Sequence, residues 1–204
     1  MPDLREDKTG RDSHIEVLVK HAKSGNRYSF EKLIVIFQED IFRMAYYRTG
    51  SHMDAEDLTQ DIFTQAFRSI SRLKEVSHFK SWLYRIAVNR VHDFYKKKRV
   101  LVFLGSRDDL ADFYRNGTED AENIQADDSL CRQEFWGHVR NLLKILSRRE
   151  REVFMLRFFD QLNIREISAV INKSESSVKT YLYRALNKIK IDPEFFKIFE
   201  GESG

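Results

Sequence analysis

The sequence predicts an all-α protein in which two helical domains are joined by an acidic, flexible linker, and the second domain contains a helix-turn-helix. Three observations support this fold class. The only prolines are Pro2 and Pro193, so the long interior contains none. Apolar residues recur through that interior at helical spacing. Between residues 101 and 129 this spacing stops, and glycines and acidic residues replace it.

The position of this break sets the domain organisation. A chain of 204 residues is long enough for one large domain or two small ones. We therefore place a first helical domain at 13–100, an acidic linker at 101–129 and a helix-turn-helix domain at 130–190. The tail at 191–204 receives no role.

Composition excludes several classes of protein. The chain is 42% hydrophobic and 33% charged, and no window approaches the roughly 20 apolar residues of a membrane span. The first residues contain no apolar run of the kind found in signal peptides, so we expect a cytoplasmic protein without membrane insertion. The single cysteine, Cys131, rules out an internal disulfide and a multi-cysteine zinc site, and it is best explained as a small buried hydrophobe.

Charge is distributed in three blocks. Lys80 to Arg99 contains seven basic residues and one acidic residue, whereas Arg107 to Asp128 contains eight acidic and two basic residues. From Arg140 to Lys190 basic residues again exceed acidic ones, by twelve to five. This order is typical of two anion-binding modules joined by an acidic connector.

The segment from Phe79 to Arg99 forms a predicted amphipathic helix that ends in four consecutive cations. Its core-facing residues are Phe79, Leu83, Ile86, Ala87, Val91 and Phe94, and its outer residues are Arg85, Asn89, His92, Asp93 and Lys96. Trp82, at the edge of the apolar face, is assigned to the core. The cations at 96–99 fit either a solvated helix end or contact with nucleic-acid phosphates. The loop Lys74–His78 before the helix could present polar groups to an unstacked base.

A second amphipathic helix precedes this one, in SHMDAEDLTQDIFTQAFRSI. Its apolar face contains Ala55, Leu58, Ile62, Ala66 and Ile70, and its polar face contains Asp54, Asp57, Asp61, Thr64, Gln65 and Arg68. Three interpretations remain open for the polar face. It is a solvated surface, a metal site built from Asp54, Asp57 and Asp61, or a surface that docks on basic groups of a partner.

The helix-turn-helix is predicted between Leu146 and Lys190. Ser147 with Glu150 and Asn163 with Glu166 have the spacing of capping boxes that open two helices, and Ser174 caps a third after a turn at Asn172–Lys173. In the third helix the inner residues are Val178, Leu182, Ala185 and Ile189, and the outer ones are Ser176, Ser177, Thr180, Tyr183, Arg184 and Asn187. Such a helix enters the major groove of DNA, although an ordinary helical hairpin has a similar pattern.

These three blocks in this order resemble the extracytoplasmic-function (ECF) group of bacterial sigma factors, over residues 15–100 and 130–190. DAEDLTQDIFTQAF resembles the segment that grips the clamp helices of the polymerase β′ subunit, and FKSWLYRIAVNRVHDFYKKKR resembles the segment that captures the −10 element. Leu146 to Lys190 resembles the domain that reads the −35 element. Asn172 stands where the family usually has glycine, and asparagine tolerates the left-handed geometry of that turn.

The resemblance implies roles for individual residues. Polymerase contacts would come from Asp54, Asp57, Gln60, Asp61 and Gln65. Contacts with the −10 element would come from Ser77, His78, Arg85, Asn89, Arg90, Lys96, Lys97, Lys98 and Arg99. Contacts with the −35 element would come from Lys173, Ser174, Glu175, Ser176, Ser177, Lys179, Thr180, Tyr183, Arg184 and Lys188.

The resemblance also implies partners and a mechanism. The partners would be core RNA polymerase, through its β′ clamp helices and β flap, promoter DNA, and an anti-sigma factor. The mechanism needs no catalytic residue, metal or cofactor. Three other functions remain open: a regulator that binds only duplex DNA, similar to response regulators with an SRRE…VK helix-turn-helix; a metal-dependent enzyme; and a pure interaction protein.

Overall fold

The structure, a computed structural model, describes residues 4–104, 139 and 142–191, with side chains at 13–98, 139 and 142–190. The regular elements in these ranges are helices. The chain divides into two compact units, Met1–Asp112 and Phe113–Gly204. The predicted linker and tail lie mainly outside the described residues, as does Cys131, so the domain boundaries stay predictions.

Within residues 4–104, the first unit contains four α-helices. They are α1 (Leu4–Lys23), α2 (Arg27–Thr49), α3 (His52–Ser69) and α4 (Phe79–Leu104), and short 3-10 turns at Ile70–Arg72 and Val76–His78 join the last two. The loop predicted between Lys74 and His78 is therefore partly helical. Helix α4 continues four residues beyond position 100, where we placed the end of the first domain.

Local sequence explains where α2 and α3 begin. The side chain of Asn26 accepts a hydrogen bond from the backbone N–H of Ser29 at 2.9 Å, and Ser51 accepts one from Asp54 at 3.2 Å. These caps satisfy backbone donors that the first helical turn leaves unpaired. Gly50 ends α2 in the left-handed region, with φ of 71°, and this conformation is readily adopted by glycine.

The core of the first unit lies between α2, α3 and α4. All five residues predicted for the apolar face of α3 are buried, which confirms that prediction. On α4 the predicted residues Phe79, Leu83, Ala87 and Val91 are buried, whereas Ile86 and Phe94 are half-buried. Tyr84 and Val88 are also buried because α4 packs against both α2 and α3, so one apolar stripe is too narrow to describe its buried surface.

The second unit contains α5 (Arg148–Phe158), α6 (Ile164–Ile171) and α7 (Glu175–Ile191), preceded by helical residues at 139 and 142–144. Helix α7 packs against both α5 and α6. Its predicted inner residues Val178, Ala185 and Ile189 are buried, and Leu182 is half-buried. Within the described parts of both units, no helix has the length and apolar character needed to cross a membrane.

Candidate DNA-binding and polymerase-binding surfaces

The five predicted polymerase contacts on α3 fall into two groups that differ in exposure. Asp57, Gln60 and Asp61 are exposed. Asp54 and Gln65 are half-buried and face α4. Oδ2 of Asp54 lies 3.6 Å from Nζ of Lys98, and Oε1 of Gln65 accepts a hydrogen bond from Nη2 of Arg90 at 3.0 Å. Three of the five residues are therefore presented to solvent, and two contact residues that were predicted to bind DNA.

A groove of about 980 Å³ runs between α2 and α3 beside the exposed group. Gln60 is part of its wall, and much of the remaining lining is aromatic or aliphatic, including Phe30, Ile34, Phe63 and Phe67. The ring of Phe67 is 51% exposed and meets the ring of Phe30 edge-on at 5.1 Å. These residues were not identified from the sequence. Phe63 and Phe67 lie one turn apart on α3, and their spacing could have indicated that its apolar face is wider than predicted.

The outer face of α4 and the turn before it form a second surface. Arg85 and Asn89 are exposed one turn apart on α4, and Ser77 and His78 are exposed on the preceding 3-10 turn. The hydroxyl of Ser81 donates a hydrogen bond to the carbonyl of His78 at 3.1 Å, which ties the turn to the first turn of the helix. The structure therefore brings the polar loop and the helix of the predicted −10 surface together.

The cations on α4 differ in their surroundings. Lys96 and Lys97 are exposed, and Nζ of Lys96 is 3.5 Å from a carboxylate oxygen of Asp93. Arg90 and Lys98 are half-buried against α3, and Nζ of Lys98 also lies 5.2 Å from the ring centroid of Phe94. The side chain of Arg99 lies outside the described residues. The basic surface therefore contains two exposed cations, Lys96 and Lys97, and two half-buried cations, Arg90 and Lys98, that contact side chains of α3.

The metal-site interpretation of α3 has no support in the described residues. Among them, no three His, Cys, Asp or Glu side chains are grouped closely enough to hold a metal ion. Asp54 faces Lys98 instead of joining Asp57 and Asp61.

The frame of the helix-turn-helix follows the sequence closely. Ser147 with Glu150 and Asn163 with Glu166 form reciprocal capping boxes, which confirms both predictions. Asn172 adopts the left-handed region, with φ of 53°, and ends α6. The hydroxyl of Ser174 accepts a hydrogen bond from the backbone N–H of Ser177 at 3.2 Å and so caps α7. These local contacts fix where α6 ends and where α7 begins.

The outer face of α7 has the composition expected of a recognition helix. Ser176, Lys179, Thr180, Tyr183 and Arg184 are exposed, and Tyr183 is exposed by 66%. Ser177 is half-buried, while Lys173, Ser174 and Glu175 are exposed at the turn that leads into the helix. The hydroxyl of Thr180 donates to the carbonyl of Ser176 at 2.9 Å, so it already has an acceptor within the helix.

Among the predicted −35 contacts, Lys188 forms an ion pair with a buried carboxylate of another helix. Its ammonium group lies 2.7 Å from Oε2 of Glu150, whose side chain is only 7% exposed. The hydrogen bond from Lys188 is the largest influence on that carboxyl group, and together with the Ser147 cap it lowers the pKa of Glu150 despite burial. Lys188 therefore balances a buried charge on α5, a role that the sequence pattern did not reveal.

Comparisons with known proteins agree with this arrangement. Residues 33–100 match the family Sigma-70 region 2, and residues 138–189 match Sigma-70, region 4. The ECF RNA polymerase sigma factor SigW of Bacillus subtilis (strain 168) is 26% identical over 184 residues, covering 86% of this chain and 95% of SigW.

Two solved structures share the fold. CnrH in complex with the cytosolic domain of CnrY has a TM-score of 0.64 at 21% identity, covering 93% of this chain and 99% of that one. The sigma factor RpoE in complex with the anti-sigma factor NepR from Bartonella quintana has a TM-score of 0.53 at 22% identity. The match covers 80% of this chain and 98% of that one. The two family matches together span more than half of the chain, in the order expected of a sigma factor. The chain therefore belongs to the sigma-70 family of RNA polymerase sigma factors, in its ECF group.

Proposed function

We propose that this chain is an alternative sigma factor that binds core RNA polymerase, recognises the −35 and −10 promoter elements and initiates transcription. One observation carries the proposal. The first unit combines an exposed acidic surface on α3 with a basic and polar surface on α4, and the same chain contains a helix-turn-helix. A regulator that binds only duplex DNA needs the helix-turn-helix alone and leaves the paired surfaces of the first unit unexplained.

The polymerase surface in this proposal is the exposed part of α3. Asp57 and Asp61 offer carboxylates to basic groups of the β′ clamp helices, and Gln60 connects them to the apolar groove beside α2. Charge complementarity increases the rate and specificity of encounter, while burial of exposed aromatic surface such as Phe67 supplies affinity.

The −10 surface is the outer face of α4, including the half-buried Arg90 and Lys98, together with the turn before it. Extruding a base from the duplex costs a few kcal/mol, and a pocket that binds the extruded base offsets this cost. Asn89 offers both hydrogen-bond donors and an acceptor to such a base, and Ser77 and His78 stand on the adjoining turn. Arg85, Lys96 and Lys97 would follow the phosphates of the same strand.

The −35 surface is the outer face of α7. Lys173, Lys179 and Arg184 would contact phosphates and so position the helix, whereas Ser176 and Tyr183 would approach base edges. Engagement of both promoter elements by one chain raises the effective affinity without any new contact. In this role the protein is not an enzyme: it directs the chemistry of the polymerase and works in the cytoplasm, where promoter DNA lies.

The proposal includes control by an anti-sigma factor. RpoE of Bartonella quintana is bound to the anti-sigma factor NepR, and CnrH is bound to the cytosolic domain of CnrY. A partner of this kind would cover the polymerase-binding and DNA-binding surfaces and so keep the sigma factor inactive. Affinity purification of the tagged chain from uninduced cells should recover such a protein.

Reconstituted transcription tests the main proposal. Core polymerase of the source organism, supplemented with the purified chain, should produce transcripts from a subset of a genomic promoter panel, and mapping their starts should reveal shared −35 and −10 sequences. The double variant Asp57→Asn with Asp61→Asn serves as a control that should lose core binding. Absence of promoter-specific transcripts would refute the function. Stable binding to an operator without polymerase would favour the duplex-binding regulator.

A further inference from the structure

Two contacts between α3 and α4 suggest that the five predicted polymerase contacts on α3 do not all have the same role. Asp54, near the start of α3, faces Lys98 near the end of the described part of α4, and Gln65, near the end of α3, faces Arg90. The two helices therefore run antiparallel and are bridged by polar contacts at two separate levels. The exposed residues Asp57, Gln60 and Asp61 lie between these two levels on α3.

We propose that Asp54 and Gln65 are positioning residues that hold Lys98 and Arg90 for binding the promoter strand, and that they do not contact the polymerase. This inference rests on the proposed function. It assigns the outer part of α3 to the polymerase and the side next to α4 to the organisation of the DNA-binding surface.

Burial supports this assignment. The side chain of Asp54 is 25% exposed and that of Lys98 is 37% exposed, so an incoming protein would find little of the Asp54 carboxylate accessible. Gln65 and Arg90 are likewise half-buried. In contrast, Asp57, Gln60 and Asp61 are exposed, and Gln60 lines the groove on the side of α3 that faces α2.

The chemistry of the cations explains why positioning matters. Lysine and arginine side chains have many rotamers, and fixing one costs conformational entropy. Lys98 is restrained by the Asp54 carboxylate and by the ring of Phe94, and Arg90 is restrained by the Gln65 amide. A side chain already held near its bound conformation loses less entropy when it meets a phosphate, so preorganisation raises affinity for the strand.

Two binding measurements on the same set of full-length variants test this inference. The first is the affinity of each variant for core polymerase. The second is the affinity of the assembled holoenzyme for a fluorescent single-stranded oligonucleotide that carries the −10 sequence found by transcript mapping, with a scrambled oligonucleotide for comparison. The variants are Asp54→Asn, Gln65→Leu, and Asp57→Asn as the matched control on the exposed side of α3.

Asp54→Asn and Gln65→Leu should each weaken binding of the −10 oligonucleotide by about fivefold, with a change of less than about twofold in core affinity. Asp57→Asn should instead weaken core affinity by about fivefold and change binding of the −10 oligonucleotide by less than about twofold. In a Lys98→Met background, Asp54→Asn should have no further effect, because its role is exercised through Lys98.

Two results would overturn the inference. Loss of core affinity in Asp54→Asn and Gln65→Leu, equal to that in Asp57→Asn, would make these residues polymerase contacts. Unchanged strand binding in these two variants would show that the contacts between α3 and α4 do not contribute to DNA binding. If Gln65→Leu unfolds in a circular dichroism melt, the Asp54 and Lys98 double-mutant cycle decides alone. A wild-type holoenzyme that fails to distinguish the −10 oligonucleotide from the scrambled one would instead refute the proposed function.

Discussion

The ammonium group of Lys188 donates a hydrogen bond to Oε2 of Glu150 at 2.7 Å and thereby joins α7 to the first turn of α5. The same oxygen accepts a hydrogen bond from the backbone N–H of Ser147 at 2.8 Å, as part of the capping box. One buried carboxylate oxygen therefore both caps the start of α5 and binds α7 to α5. This relationship leads to two predictions about the stability of the second unit.

Lys188→Met should destabilise the second unit by about 1–2 kcal/mol, because the substitution leaves a buried carboxylate without its cation. Hydrogen exchange of the full chain should show faster exchange in α5 and α7, with the first unit unchanged. Lys190→Met, at an exposed lysine two residues further along, is the matched control and should leave exchange unaffected. Equal effects of the two substitutions would mean that general charge loss, and not the pair with Glu150, is responsible.

Acid should weaken the second unit through Glu150. The fold lowers the pKa of this carboxyl group below its ordinary value of 4.5, chiefly through Lys188, so protonation favours the unfolded state. The stabilisation is fully present above the unfolded pKa and is lost as the pH falls through the lower pKa of the folded state. Urea unfolding between pH 6 and about 3 should therefore show a steeper loss of stability for the wild type than for Glu150→Gln. Parallel curves would contradict this account.

The two left-handed residues of the second unit should respond differently to glycine. Gln161 and Asn172 have φ of 54° and 53°, and asparagine tolerates this region better than glutamine. Gln161→Gly should therefore raise the free energy of unfolding by up to about 1 kcal/mol, whereas Asn172→Gly should change it little and Asn172→Val should lower it by about 1 kcal/mol or more. Thermal melts of the three variants provide the comparison, and a larger gain at Asn172 than at Gln161 would contradict it.

Lys179→Ala should weaken binding to −35 duplexes and to unrelated duplexes by the same factor, because phosphate contacts carry no sequence information. The slope of log K against log salt should fall by about one. A selective loss of binding to the −35 sequence in Lys179→Ala would instead assign this lysine to base recognition.

Asn89→Ala should impair promoter opening more than promoter binding. The exposed amide is predicted to hold an extruded base, so its loss should slow the appearance of permanganate-reactive thymines about tenfold or more while closed complexes still form. Lys20→Gln, at an exposed residue of α1 outside the proposed surfaces, is the control and should open promoters normally. Wild-type opening by Asn89→Ala would remove Asn89 from the −10 surface.

Features set by neighbours along the chain could be predicted from the sequence. The caps at Ser147, Asn163 and Ser174 depend on residues three positions away, and the left-handed turn at Asn172 depends on a single residue type. All five residues predicted for the apolar face of α3 are buried because one side of that helix packs against the core, although the buried Phe63 was missed. Local capping and helical periodicity were therefore sufficient to predict most of the helices and the positions where they begin.

Features set by contacts between distant segments could not be predicted in this way. Lys188 and Glu150 are 38 residues apart, and no periodic pattern links them. Tyr84 is almost fully buried because α4 packs against two helices, and a single helical stripe cannot represent that geometry. The same holds for Asp54 and Gln65, whose place on the polar stripe of α3 was clear although their proximity to α4 was not.

Helix α7 separates support from recognition within 17 residues. Val178, Ala185 and Ile189 hold the helix to its unit, while Thr180, Tyr183 and Arg184 point outward and bury little against the protein. Substitutions on the outward side therefore cost little folding energy. After gene duplication, a copy of this chain can acquire a new promoter preference through a few such changes without first passing through an unstable intermediate.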